Sequence, residues 1–240
     1  RGKYGADGEL EDLAASNFIF GRANIDGRPV VASADDFTVR GGAADAALHR
    51  KFIQCEAMAH EYRLPLIRMI DGTGGGGSVK TLEDMGYTYI PHVPGWDQII
   101  ANLDTVPVVA LALGPTAGLG AARVVASHYS IMVRGLSQLF AAGPAVAAAI
   151  GDTLDREELG GVDVHTRNGV VDDEVASEAE AFARARWFLS YLPSSVHGVP
   201  PVLPSTDDPQ RADESLMKAV PRNRRSVYKM RPIINAVVDA

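Results

Sequence analysis

Apolar residues recur along the chain in two rhythms, and their alternation predicts an α/β architecture. Between residues 45 and 62, Leu48, Phe52, Cys55, Ala59 and Tyr62 fall at steps of three and four, which puts them on one face of a helix. Residues 64–70 then form a short apolar run interrupted only by Arg68, the mark of a buried strand, and lead into the glycine-rich stretch 71–78. The order repeats. Trp96, Ile99, Ile100 and Leu103 share a helical face, 106–113 is a second buried strand, 114–120 is again rich in glycine, 121–128 is a small-residue helix and 129–133 a third strand. Strands alternating with helices, joined by long crossovers, predict a parallel sheet.

Outside this centre the pattern is simpler. The first twenty residues read as an acidic loop ending in a strand that begins near Asn17, and Asp26-Gly27 between two strand-like runs predicts a hairpin. Gly143-Pro144 opens an alanine-rich helix to Ile150, with proline in the first turn. A short helical turn over 155–159 ends at Gly160-Gly161, and Phe182, Ala185, Leu189 and Leu192 mark a helix over 176–192 that Pro193 stops. The polar, proline-dense stretch beyond it reads as a tether, with a new amphipathic element from Tyr228. The expected organisation is one domain over 1–192, a linker over 193–227 and the start of a further element over 228–240.

Composition changes the picture mainly by exclusion. With 46% hydrophobic and 22% charged residues, 24 glycines and 14 prolines, the 240-residue chain is ordinary globular chemistry, neither disordered nor fibrous. A formal charge of −7 supplies no field for nucleic acid or anionic lipid. The single cysteine, Cys55, excludes an intramolecular disulfide and a cysteine-based zinc site and fits a reducing compartment. No stretch approaches eighteen consecutive apolar residues, so the expectation is a soluble, cytoplasmic protein with no membrane or nucleic-acid partner.

The candidate chemistry lies at the two strand-to-helix junctions, 71–78 and 114–120. Glycine lets a ligand approach the main chain, and a helix start leaves N–H groups unpaired. Two such junctions side by side predict an oxyanion hole, in which one backbone donor is worth on the order of a hundredfold in rate. The same glycines equally suit tight turns and close helix–sheet packing. Neither loop fits a nucleotide motif: 72–78 lacks the Lys-Ser/Thr ending of a P-loop, and 114–120 lacks GxGxxG spacing.

Five segments carry a resemblance: Pro65-Leu-Ile-Arg-Met-Ile-Asp-Gly-Thr-Gly-Gly, Pro107-Val-Val-Ala-Leu-Ala-Leu-Gly-Pro-Thr-Ala-Gly, Ser137-Gln-Leu-Phe-Ala-Ala-Gly-Pro, Glu157-Glu-Leu-Gly-Gly and Tyr228-Lys-Met-Arg. In order and spacing the chain resembles the N-terminal half of biotin-dependent acyl-CoA carboxyltransferases, the β subunits of propionyl-, methylcrotonyl- and geranyl-CoA carboxylases. The resemblance implies a crotonase-like α/β fold, a spiral of ββα units. It implies transfer of a carboxyl group from carboxybiotin to the α or vinylogous γ carbon of an acyl-CoA. Gly118 and Leu119 would give backbone N–H groups to the oxyanion, with Gly74, Gly75, Thr116 and Ala117 lining the substrate. Coenzyme A would be part of the substrate, and biotin would arrive on a partner protein, since the usual Ala/Val-Met-Lys-Met acceptor is missing. Further implied are a biotin carboxylase or biotin carrier partner and a hexamer-type homo-oligomer. The chain would be half of such a subunit, able to hold CoA weakly and unable to complete the transfer alone.

Two positions depart from the family pattern. Leu119 replaces the second glycine of Gly-Pro-x-Ala-Gly-Gly, and the first loop lacks the family's arginine. The alternatives are a decarboxylase subunit running the transfer in reverse and a non-catalytic assembly domain of the same fold. The layout also resembles Clp-type serine peptidases, but Gly118 stands where their nucleophile would be. Of the remaining residues, His165 and Arg68 read as structural, Cys55 as inert, Asp71 as a turn-stabilising Asx residue and Arg222-Asn-Arg-Arg225 as a solvated run. His49 and His60 have no metal-site spacing.

Overall fold

The computed structural model describes residues 2–13, 16–42, 49–72, 83, 86, 95–151, 153–202, 204–208 and 210–238. The chain opens on a two-stranded antiparallel sheet, β1 (Gly2–Tyr4) with β2 (Leu10–Leu13), where sequence reading expects only loop. Every residue of β2 is exposed, so no alternating burial marked it in the sequence. Next come β3 (Phe18–Ile25) and β4 (Arg28–Asp35), the expected hairpin, with Asp26 and Gly27 at φ 51° and 82° in its turn.

Beyond the hairpin the strands are parallel. After α1 (His49–Tyr62) runs β5 (Leu66–Gly72); after α2 (Trp96–Thr105) runs β6 (Val108–Ala117); and α3 (Leu119–Val125) leads to β7 (Tyr129–Val133). A short β8 (Gln138–Phe140), α4 (Pro144–Ala149), α5 (Arg156–Gly160), α6 (Val162–Arg167), β9 (Asp173–Val175) and α7 (Glu178–Ser190) complete this part. The sheet order is β3-β4-β5-β6-β7-β9, with β8 pairing to β6. Sequence reading missed β8, α6 and β9, each too short to display a period.

Alternation along β6 divides the core. Val109 and Leu111 pack with Val30, Ile67, Ile131 and Val133 against Ala181, Ala185 and Leu189 of α7. On the opposite face, Val108 packs with Cys55 and Ala59 of α1, while Ala110 and Ala112 pack with Val124 of α3 and Met132. Each fully buried Val, Leu or Ile here contributes about 1.5–3 kcal/mol. The two alanines let α3 lie close to the strand that feeds it.

The chain divides into two compact units, Arg1–Pro201 and Val202–Ala240. The stretch directly after Pro193 belongs to the first: Ser195 is buried, and the Val196 N–H donates to the Thr105 carbonyl at 2.9 Å. The second unit contains α8 (Leu216–Ala219) and α9 (Met230–Val237), whose Met230, Ile234 and Val237 are exposed.

Candidate functional site

The two glycine-rich junctions lie at the carboxyl ends of adjacent parallel strands, β5 and β6. Gly74 and Gly75 fall outside the described residues, so the first junction is described only to Gly72. The second is built by a fork in the sheet. Strand β6 pairs with β7 from Val109 to Ala112 and with β8 from Pro115 to Ala117. Ser137 fastens the fork: its Oγ accepts the Val133 N–H at 2.9 Å and donates to the Ala112 carbonyl.

Beyond the fork the chain turns sharply at Gly118, with φ 57° and ψ −121°, a conformation open essentially to glycine alone. The Gly118 N–H donates to the Phe140 carbonyl at 2.9 Å. Of the expected donor pair, the Gly118 amide is thus bonded within the sheet, because β8 extends the β6 ladder up to it. The first bond of α3 runs from the Ala122 N–H to the Gly118 carbonyl at 3.0 Å, so the amides of Leu119 and Gly120 precede the helical ladder.

Thr116 and Ala117, expected in a loop, are strand residues. Thr116 is fully buried, and its hydroxyl donates to the Gly114 carbonyl at 3.1 Å, so its side chain serves the strand end. Ala117 is half-buried beside the elbow. Gly160, from the Glu157 motif, lets α5 press on β8: a side chain there would run into the Leu139 carbonyl and the Phe140 ring.

A buried polar network holds the far end of α3. The Arg68 guanidinium makes a two-point pair with Glu56, Nε to Oε1 at 2.9 Å and Nη2 to Oε2 at 2.8 Å. Its Nη1 donates to the Arg123 and Ala126 carbonyls at 3.2 and 2.6 Å, satisfying acceptors left over at the C-terminal end of α3. The Asn102 amide completes the shell of Glu56, donating to Oε2 at 2.8 Å. Arg68 thus has the structural role read from its place inside a strand. From α3 itself, Arg123 pairs with Asp35 at 3.1 Å and lies over the rings of Phe18 and Phe52, 5.4 and 5.0 Å from their centroids. Arg123 and Glu56 escaped sequence reading, although each places a charge where the α/β pattern demands burial.

Asp71, next to last in β5, lies against this region. Its N–H donates to Asp35 Oδ2 at 3.3 Å, while its own Oδ1 is buried without a hydrogen-bond partner. The carboxyl packs against Gly114 of β6, while the loop that the expected Asx role would serve lies outside the described residues. Burial, and then the nearby carboxylates of Asp35 and Glu178, push the Asp71 carboxyl above its ordinary range.

The other candidate side chains are structural. His165 Nε2 meets the Leu139 carbonyl at 2.9 Å, holding α6 to β8. Cys55 is buried, and desolvation pushes its thiol up to about 12, leaving it inert at neutral pH. Arg222 to Arg225 are exposed. Among the described residues no group of three His, Cys, Asp or Glu could hold a metal ion.

Comparison with known proteins places these features in a family. Residues 4–240 match the model described as the carboxyl transferase domain. The methylmalonyl-CoA decarboxylase subunit alpha of Veillonella parvula is 30% identical over 237 residues, which are 96% of this chain and 45% of that protein. The propionyl-CoA carboxylase beta chain of Roseobacter denitrificans is 30% identical over 229 residues, 94% of this chain and 44% of its own length. Among solved structures, the transcarboxylase 12S hexamer with hydrolysed methylmalonyl-coenzyme A bound superposes with a TM-score of 0.73 at 26% identity, over 93% of this chain and 42% of that one. The chain spans less than half the length of these curated relatives.

Proposed function

The chain belongs to the carboxyl transferase domain family, and from that premise we propose that it is the N-terminal, CoA-binding half of a biotin-dependent acyl-CoA carboxyltransferase. The observation that carries the reading is the elbow at Gly118. One amide there is spent on Phe140, which fixes the turn, and the next, Leu119, stands ahead of the helical ladder as a donor for a thioester or biotin oxygen. Because the donor is a main-chain N–H, leucine in place of glycine preserves it. The described residues offer no acid–base cluster at this elbow. Carboxybiotin, brought by a biotin carrier partner, would supply both the carboxyl group and the base. The protein's task is then to orient the two reactants and hold their oxygens.

The crotonase-like α/β fold of the relatives supports the same reading, and the hexamer of transcarboxylase 12S supports a hexamer-type assembly. A decarboxylase subunit would use the same donor on the same oxygen in the opposite direction, and the Veillonella relative supports that second reading. No helix among the described residues is long and apolar enough to cross a membrane.

The test is calorimetric titration of the chain with CoA and with acyl-CoAs, repeated with Leu119→Pro. Proline is accepted at the first position of a helix and removes the proposed donor N–H, together with the leucine side chain. Acyl-CoA affinity falls while CoA affinity holds if the donor reading is right. Equal binding of acyl-CoA by both proteins rejects the donor role, and absence of any CoA binding favours an assembly domain.

A further inference from the structure

Asp71 faces a bulge. The β5–β6 register runs from Ile70 opposite Ala112 to Gly72 opposite Thr116, so Leu113, Gly114 and Pro115 all stand against Asp71. A bulge bends its strand and re-aims the residues beyond it. Here it falls where β6 leaves β7, at Ala112, and takes up β8, at Pro115. The Gly118 elbow comes three residues later. The Asp71 side chain fills the hollow of this bulge: a Cβ added to Gly114 would overlap the carboxyl group, with Oδ2 at 2.9 Å. Its buried Oδ1 has no hydrogen-bond partner, so the fit there is one of shape. Behind it, the Asp71 amide is tied to Asp35, which is paired in turn with Arg123 of α3.

We propose that Asp71 is a positioning residue for the Leu119 amide: its side chain, wedged into the space that Gly114 leaves, sets the shape of the bulge and so the direction in which β6 delivers the elbow. The proposal rests on the carboxyltransferase reading of the site and adds to it the element that aims the donor. Asp71 acts through the strand and touches no substrate. A residue that merely stabilised the fold would lower thermal stability and the affinities for all ligands together. A positioning residue changes the discrimination between ligands that do and do not carry the thioester oxygen.

The test uses the 240-residue chain and the ratio of its affinities for propionyl-CoA and free CoA, measured by calorimetry. The wild type is expected to prefer propionyl-CoA. Gly114→Ala, which overfills the hollow, and Asp71→Ala, which empties it, each lower that preference about five- to tenfold, the equivalent of one hydrogen bond. Asp71→Ala/Gly114→Ala, in which the new methyl takes the place of the lost carboxyl, restores it to within about twofold, a coupling expected of groups in contact. If circular dichroism shows Gly114→Ala unfolded, Asp71→Ala and the double variant carry the test. Single variants that keep the preference, or a double variant that loses as much as the singles combined, overturn the proposal. A wild type that binds both ligands equally overturns the carboxyltransferase reading itself, and the proposal falls with it.

Discussion

The Gly118 amide donates to the Phe140 carbonyl at 2.9 Å, so the residue at the turn from β6 into α3 also continues the β6–β8 ladder. Two constraints meet on one residue: its positive φ requires glycine, and its N–H must stay in line with β8. Gly118→Ala is therefore expected to cost about 1–3 kcal/mol in urea denaturation. Retention of full stability by this variant would mean that the turn is not held as described.

Arg68 and Glu56 form a pair buried almost completely, with side chains 0% and 2% exposed. Removing one partner strands the other charge in the core. Arg68→Met and Glu56→Leu are each expected to lose about 3–5 kcal/mol, whereas the combined variant loses less than either, because no unpaired charge remains. Arg68→Met also deprives the C-terminal end of α3 of its donor, a cost the double variant keeps. Denaturant titration of the three proteins decides. A double variant no better than the sum of the singles would show that the pair is not coupled.

The strands and helices with strong periods were legible in the sequence: β5, β6, α1, α2 and α7 lie close to where apolar spacing puts them. What escaped was pairing between distant segments. Strand β8 has three residues, yet its ladder with β6 commits the Gly118 amide, one of the two backbone donors expected from the sequence. No local pattern encodes that pairing. Arg123 was hidden for a related reason: its pairing partner, Asp35, lies eighty-eight positions away in sequence, and its ring contacts come from two other elements.

Asp71 gives the chain a pH signature. Its carboxyl is raised above the ordinary 3.8, by burial first and then by Asp35 and Glu178, so the folded state binds the proton more tightly than the unfolded one. The stability this contributes is complete below the ordinary value and is lost as pH rises through the folded one. Asp71→Asn, which has no proton to lose, is expected to gain on the wild type across that window and to run parallel to it above. Urea midpoints taken from about pH 3 upward test this; parallel curves throughout would place the carboxyl in water.

Gly160 offers a further check on the route from packing to site. A Cβ there would penetrate the Leu139 carbonyl and come within 2.7 Å of the Phe140 ring, so α5 rides on β8 only because the residue has no side chain. Gly160→Ala must push α5 and β8 apart, at an expected cost of about 1–3 kcal/mol. The displacement reaches Phe140, whose carbonyl holds the Gly118 amide, so affinity for acyl-CoA should fall more than affinity for CoA. Gly21→Ala is the control: this β3 glycine lacks a positive φ and has open space around its would-be Cβ, so the change stays within about 0.5 kcal/mol. Similar losses at both positions would reduce the Gly160 effect to a general sensitivity of the sheet. A loss confined to Gly160, with ligand discrimination falling alongside stability, ties the α5–β8 contact to the aim of the donor proposed at Leu119.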